Sequence, residues 1–271
     1  MIDMHVHTNA SDGIFSPTQI VEWAYKKGLR GIAITDHDTV DGIVEAVYTS
    51  KKYGGFLLVP GIEFSCIYDG KEVHILGYFI DYTHQELINI TKEIKDYRLK
   101  RIKKMIQKLQ EINISIDFDE VKNIVKDGSF GRPHVAKILV QKGYADSISD
   151  AFEKFLTRGR EAFVERFKLS VEEAIDIIKK SGGIPTLAHP GLLDESIFID
   201  DLIKKGFLGI EVYHREHDSQ HEEIFFKKAK EYNLFVTGGS DYHDDQKEGV
   251  PTVGSVGISY ESVINMKNSI E

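Results

Sequence analysis

Six of the eleven histidines in this 271-residue chain fall in short clusters, mostly with an acid close by, and each cluster lies in or just after an apolar run. The clusters are Asp3-Met4-His5-Val6-His7, Thr35-Asp36-His37-Asp38, Val73-His74, Ala188-His189-Pro190 and Ser240-Asp241-Tyr242-His243. A fold that uses them together must bring the ends of several strands to one place. In a strand alternate side chains share a face, so Asp3, His5 and His7 point one way while Ile2, Met4 and Val6 point the other. Two imidazoles about 7 Å apart on one face can grip one ion. Asp241 and His243 repeat this i, i+2 device after the run at 234–237, and Asp36-His37, Glu63 and His189 each follow a run of their own. A lone histidine is usually a surface residue or a hydrogen-bonded core residue; five clusters at strand ends ask for another explanation. Imidazole and carboxylate together suit divalent manganese, iron or zinc, and several such ions in one pocket mean chemistry rather than scaffolding.

Val- and Ile-rich runs at 2–6, 31–35, 56–59, 73–79, 184–188, 208–212 and 234–237 are mostly followed by helical patterns, which reads as parallel β/α architecture. Ser16, Pro17 and Gln19 form a capping box with proline in the first turn, and Gly28 ends that helix. Ser170 with Glu173 repeats the box, closed by Gly182-Gly183. Between Ile80 and Lys168 the rhythm breaks into helical patterns at 84–112, 119–126, 133–142 and 149–157 with no convincing strand. Residues 85–164 are therefore expected to be a helical insertion dividing a barrel into 1–84 and 165–271. The barrel then has about 27 residues for each of seven units, near the share of a unit in an eightfold barrel.

With 41% hydrophobic residues the chain can bury a full core, and Cys66, the only cysteine, excludes an internal disulfide or a multi-thiolate site and suits the cytoplasm. The first histidine cluster follows Met1 directly, without a leader pattern. No apolar stretch reaches the roughly 18 residues of a membrane span. A net charge of -9 argues against gripping duplex DNA and leaves small anions open as substrates. Neither a nucleophile elbow nor a nucleotide-phosphate glycine loop occurs.

The motifs His5-Val6-His7-Thr8 with Ser11-Asp12-Gly13, Thr35-Asp36-His37-Asp38, Gly61-Ile62-Glu63, Val73-His74, Ala188-His189-Pro190 and Gly239-Ser240-Asp241-Tyr242-His243 span almost the whole chain. In that order they resemble the PHP (polymerase and histidinol phosphatase) superfamily of metal-dependent phosphoesterases. Gly131-Arg132-Pro133-His134 resembles a motif of its stand-alone branch, which includes phosphatases of small nucleotides and 5′ to 3′ exonucleases on short RNA. The resemblance implies an α/β fold, a distorted seven-stranded (β/α) barrel with a helical insertion, and a trinuclear metal centre. It assigns His5, His7, Glu63 and Asp241 to one ion, Glu63, His74 and His189 to a second, and Asp12, His37 and His243 to a third. Asp3, Asp36 and Asp38 are expected to orient imidazoles from behind.

The reaction so implied is attack on phosphorus by a metal-activated hydroxide, with Asp12, Glu63 and Asp241 as catalytic acids of the site and no protein nucleophile. Arg132 and His134 are expected to grip phosphate and protonate the leaving oxygen, the alternative being an ordinary helix start with Pro133 in its first turn. Arg215 and His217 could line the same mouth; on the other reading His214, His217 and His221 face solvent from a helix. Arg98 and Arg101, three apart on one helix face, could meet a second phosphate. The expected function is hydrolysis of phosphate monoesters of small nucleotides, such as nucleoside 3′,5′-bisphosphates. The alternatives are 5′ to 3′ cleavage of short RNA, histidinol phosphatase activity and a non-catalytic metal or nucleotide sensor. The expected partner is a small phosphorylated substrate or short RNA, and the expected state a monomer or small homo-oligomer.

Overall fold

In the computed structural model, which describes residues 1–125, 130–165, 167–195, 197–243 and 252–270, each of the seven apolar runs contributes a strand to one sheet. The strands are β1 (Ile2–Asp3), β2 (Gly31–Ile34), β3 (Leu57–Tyr68), β4 (Lys71–Tyr78), the two-residue β5 (Leu169–Ser170), β6 (Ile184–Leu187), β7 (Gly209–His214) and β8 (Phe235–Gly239). Their order is β1-β2-β3-β4-β6-β7-β8, with β5 paired to β3 alone. The Met4 N–H donates to the Gly238 carbonyl at 3.2 Å, so the exit of β1 meets β8 and the barrel nearly closes.

The expectation of an all-parallel sheet is corrected. β3 pairs in parallel with β2 from Leu57 to Pro60, then antiparallel with β4 from Gly61 to Tyr68, and β4 runs antiparallel to β6. The cause is the Asp69-Gly70 turn, whose two residues have φ of 46° and 79°. Two left-handed residues make a tight hairpin whose twist matches the flanking strands, leaving no chain for a crossover helix. Gly61 sits where β3 changes partner. A Cβ there would lie 2.9 Å from the Ile34 carbonyl oxygen and 3.0 Å from that of Gly77, so only glycine lets the strands approach.

The helices are α1 (Pro17–Lys26), α2 (Ile43–Ser50), α3 (Gln85–Glu111), α4 (Phe118–Val125), α5 (Arg132–Gln141), α6 (Ile148–Ala151), α7 (Val171–Lys180), α8 (Ile199–Ile203), α9 (Ser219–Glu231) and α10 (Tyr260–Asn268). Both expected capping boxes form, at Ser16 with Gln19 and at Ser170 with Glu173. Among the described residues no helix is long and apolar enough to cross a membrane.

Contacts divide the chain into two units, Met1–Thr91 with Lys168–Glu271, which holds the barrel, and Lys92–Phe167, which is helical. The barrel unit buries Ile2, Met4, Ala33, Val59, Leu76, Tyr78, Ile184 and Ala188 in one cluster. In the helical unit Ile102, Met105, Ile106 and Leu109 form an i, i+3, i+4, i+7 stripe on α3, packed with Val121, Val135, Leu139 and Leu156. α6 continues into a π-helical turn at Phe152–Leu156. Of the expected helix at 119–126, Lys126 lies outside the described residues. Arg101, expected as a phosphate contact, is buried and its Nε donates to the Val164 carbonyl at 2.8 Å, so its side chain ties its own unit together.

Candidate metal centre

The strand exits of the barrel unit carry the histidine clusters. His5 and His7 follow β1 and keep its alternation, since Met4 and Val6 are fully buried in the opposite direction and the two imidazole centroids lie 5.1 Å apart. His37 follows β2 and bridges β3 beside Glu63. Glu63 and His74 come from the hairpin, one from each strand. His189 follows β6 and Asp241 follows β8, both in the left-handed region with φ of 23° and 48°. Such strain in non-glycine residues persists only where the surroundings hold it, and here it falls on groups aimed into the cluster. Glycine is required at 239, shortly before Asp241, because a Cβ there would overlap the backbone nitrogen of His5.

Glu63 is the hub. Its Oε2 lies 2.9 Å from His37 Nδ1, 3.2 Å from His7 Nε2 and 3.4 Å from His5 Nε2. Its Oε1 lies 3.0 Å from His74 Nδ1 and 3.2 Å from His189 Nε2. Asp241 Oδ1 approaches His7 Nε2 at 3.1 Å and His5 Nε2 at 3.2 Å. Asp12 Oδ1 lies 3.4 Å from His243 Nε2, and its Oδ2 is 3.9 Å from His37 Nε2. Among the described residues three groups bring their ligand atoms close enough to hold an ion: His5, His7, Glu63 and Asp241; His37, Glu63 and His74; and His7, Asp12, His37 and His243. All nine histidine, aspartate and glutamate ligands expected from the sequence are thus within one cluster. The grouping is wider than expected, since His7 and His37 each reach into a second group and His189 joins through Glu63.

A cation fits this site on the donors themselves. His5 Nε2, both ring nitrogens of His7, His37 Nδ1, Glu63 Oε2 and Asp241 Oδ1 are buried without a hydrogen-bond partner, yet they converge on one another. Buried polar atoms are almost always satisfied, and so many orphans aimed at common points call for a shared positive charge. Without one, protons serve. Burial pulls the His7 imidazole down, but Asp241 and Glu63 outweigh it and raise it to about 9. His74 is likewise raised against burial, to about 10, by Glu63 and Glu72. Burial would raise Glu63, but the surrounding imidazoles of His37, His5 and His74 hold it well below the carboxylate range. Burial lowers the His37 imidazole itself.

Two residues of the site escaped the sequence reading. Glu211 on β7 is fully buried, and its two oxygens lie 3.1 and 3.2 Å from His5 Nδ1. His214, at the end of β7, is buried with Nε2 3.5 Å from Asp241 Oδ2, which corrects its reading as a solvent-facing helical residue. His217 is also buried; its Nδ1 donates to the Val212 carbonyl at 2.8 Å and its Nε2 accepts from the Gly191 N–H at 3.1 Å. With both nitrogens engaged by backbone it fastens loops and has none left for a substrate. Arg215 is exposed and donates to Thr252 Oγ1 at 3.0 Å. Asp3 accepts from the N–H groups of His5, Ser240 and Gly254, and Asp36 from Thr8 and Ser11. These two carboxylates therefore pin the ligand loops rather than orient imidazoles, while Asp38 accepts from the Ser65 N–H. Arg132 and His134 belong to the helical unit, where Arg132 lies 5.3 Å over the Phe152 ring and His134 Nδ1 accepts from the Gly131 N–H at 3.1 Å.

The PHP domain profile matches residues 3–184. A 5′-3′ exoribonuclease of Haemophilus influenzae is 34% identical over 247 residues, 89% of this chain and 89% of its own. A 3′,5′-nucleoside bisphosphate phosphatase of Chromobacterium violaceum is 32% identical over 248 residues, 89% of this chain and 87% of its own. A crystal structure from Bifidobacterium adolescentis, assigned to the metal-dependent phosphoesterases, matches with a TM-score of 0.81 at 31% identity, covering 98% of this chain and 94% of that one. With the profile spanning more than half of the chain and these relatives running nearly its whole length, the chain belongs to the PHP domain family and is a metal-dependent phosphoric ester hydrolase.

Proposed function

We propose that the chain removes phosphate from small nucleotides, with nucleoside 3′,5′-bisphosphates as the substrate class, at a centre of three divalent ions drawn from manganese, iron or zinc. The observation that carries this reading is the sharing of ligands. Each pair of the three groups has one residue in common: His7, His37 or Glu63. A neutral imidazole has one lone pair to give, whereas a carboxylate has two oxygens, so Glu63 alone of the three is suited to bridge. With Glu63 as the bridge, we adopt the assignment that the family resemblance implies: His5, His7, Glu63 and Asp241 for the first ion, Glu63, His74 and His189 for the second, and Asp12, His37 and His243 for the third. Bound there, divalent ions supply Lewis acidity toward phosphoryl oxygens and lower the pKa of water toward neutrality.

The chain's own groups give the centre a closed floor and an open side. The side chains of His5, His7 and Glu63 are at most 1% exposed, whereas His243 is 31% and Asp12 53% exposed, so a phosphate enters past Asp12 and His243. Asp12, Glu63 and Asp241 are the catalytic carboxylates on this reading. His134 is proposed as proton donor: with Nδ1 accepting from backbone, the neutral ring carries its proton on Nε2. Arg132 is proposed to grip phosphate through its planar guanidinium, and Arg215 as a weaker contact. We place the enzyme in the cytoplasm, where Cys66 stays reduced.

The second reading, stepwise 5′ to 3′ cleavage of short RNA at the same centre, is favoured by the 34% identity to the Haemophilus influenzae exoribonuclease. Metal-supplemented protein is given a nucleoside 3′,5′-bisphosphate and a short 5′-phosphorylated RNA. Release of inorganic phosphate from the first alone supports the phosphatase; a ladder of mononucleotides from the second supports the nuclease; neither product, with each metal tried, rejects both.

A further inference from the structure

β7 is irregular where it passes the metal centre. Its register with β8 runs Glu211↔Thr237 and then Tyr213↔Gly238 and His214↔Gly239, so Val212 is an extra residue. In a regular strand Glu211 and His214, three apart, would face opposite sides of the sheet. The bulge removes that offset and turns both toward the ligands.

Glu211 presents both oxygens to His5 Nδ1, and its Oε2 also accepts from the His189 N–H at 2.8 Å. A carboxylate facing Nδ1 keeps the ring proton there. The lone pair of His5 then lies on Nε2, the nitrogen that faces Glu63 and Asp241. The same carboxylate holds the backbone of His189 in its left-handed conformation. His214 has the complementary arrangement. Its Nδ1 accepts from the Glu216 N–H at 3.2 Å, so the neutral ring carries its proton on Nε2, toward Asp241 Oδ2. In that tautomer His214 has no lone pair for an ion and acts only as a donor.

We infer that the β7 bulge builds a positioning pair: Glu211 fixes the tautomer of His5 and seats His189, and His214 turns Asp241 so that its Oδ1 faces His5 and His7. This rests on the metal-centre reading above, and neither residue is assigned contact with substrate. Zinc serves as a diamagnetic probe. In zinc-loaded wild-type protein, imidazole nitrogen–proton correlation by NMR should show the His5 proton on Nδ1. Competition with a chelating dye should show zinc bound about 10- to 100-fold more weakly by Glu211→Gln, and weakened also by His214→Phe, with metal-free circular dichroism unchanged. If wild-type protein takes up no zinc, the metal-centre reading itself fails. If it takes up zinc but His5 carries its proton on Nε2, or both variants bind zinc as tightly as wild type, the centre stands and the positioning role falls. Should Glu211→Gln not fold, the wild-type tautomer decides.

Discussion

Glu63 and the imidazoles around it govern how the metal-free chain responds to pH. His7 and His74 are raised from 6.5 to about 9 and about 10, so their contribution to stability is fully present below pH 6.5 and is lost as pH rises through 9 to 10. Glu63, held below 4.5, contributes above that value and loses its contribution as pH falls through its depressed titration. The metal-free protein should therefore melt highest between about pH 4.5 and 6.5 and progressively lower toward pH 10, as scanning calorimetry in chelator would show. Metal uptake at pH 7 should release protons, read as a dependence of binding heat on buffer ionisation enthalpy. Glu63→Gln leaves a group that cannot neutralise two cations at once. Bound metal per chain, measured by elemental analysis, should fall, and phosphate release should drop by about a thousandfold or more. The histidines that gather around Glu63 were legible as a group in the sequence because imidazole beside carboxylate at a strand exit has few structural uses. Glu211 was not, because a glutamate inside a Val- and Ile-rich run carries no sign of the bulge that turns it inward. His217 was misjudged as a substrate contact because its backbone partners, Gly191 and Val212, are set by tertiary contact.

Among elements, the hairpin of β3 and β4 departs most from what periodicity suggests. Seven strands could be placed from their β-branched runs, but direction depends on the connection between them. The informative signal was Asp69-Gly70, two residues between alternating segments, the pattern of a tight turn. Reading 56–59 as a complete strand hid the nine further residues of β3 and placed Glu63 after a strand rather than within one. The cost of disturbing the crossover can be measured. Gly61→Ala would press a methyl group against two carbonyl oxygens and should lower stability by about 1–3 kcal/mol, seen as a lower urea midpoint with an unchanged slope. Helix starts were easier to read, since Ser16 with Gln19 and Ser170 with Glu173 close their hydrogen bonds locally and need no distant partner.

At the scale of the whole molecule, two units with separate cores should respond separately. Leu109→Ala, in the core of the helical unit, should destabilise that unit by about 2–5 kcal/mol while zinc bound per chain in the barrel unit stays the same, checked by hydrogen exchange beside metal analysis. Metal should act on the barrel: at a free concentration of about a hundred times the dissociation constant it should add about 2.7 kcal/mol, read as a higher melting temperature that chelator reverses. Helices α3 to α6 were legible from the loss of β/α rhythm, whereas the nearly closed ring of strands depends on Met4 meeting Gly238, a contact between residues that no local pattern connects. The cluster draws on residues from His5 to His243, so the emerging polypeptide leaves the ribosome with most of its cation-binding groups made but Asp241 and His243 still untranslated. A nascent chain therefore cannot gather the whole cluster before β8 and the residues just after it have been made.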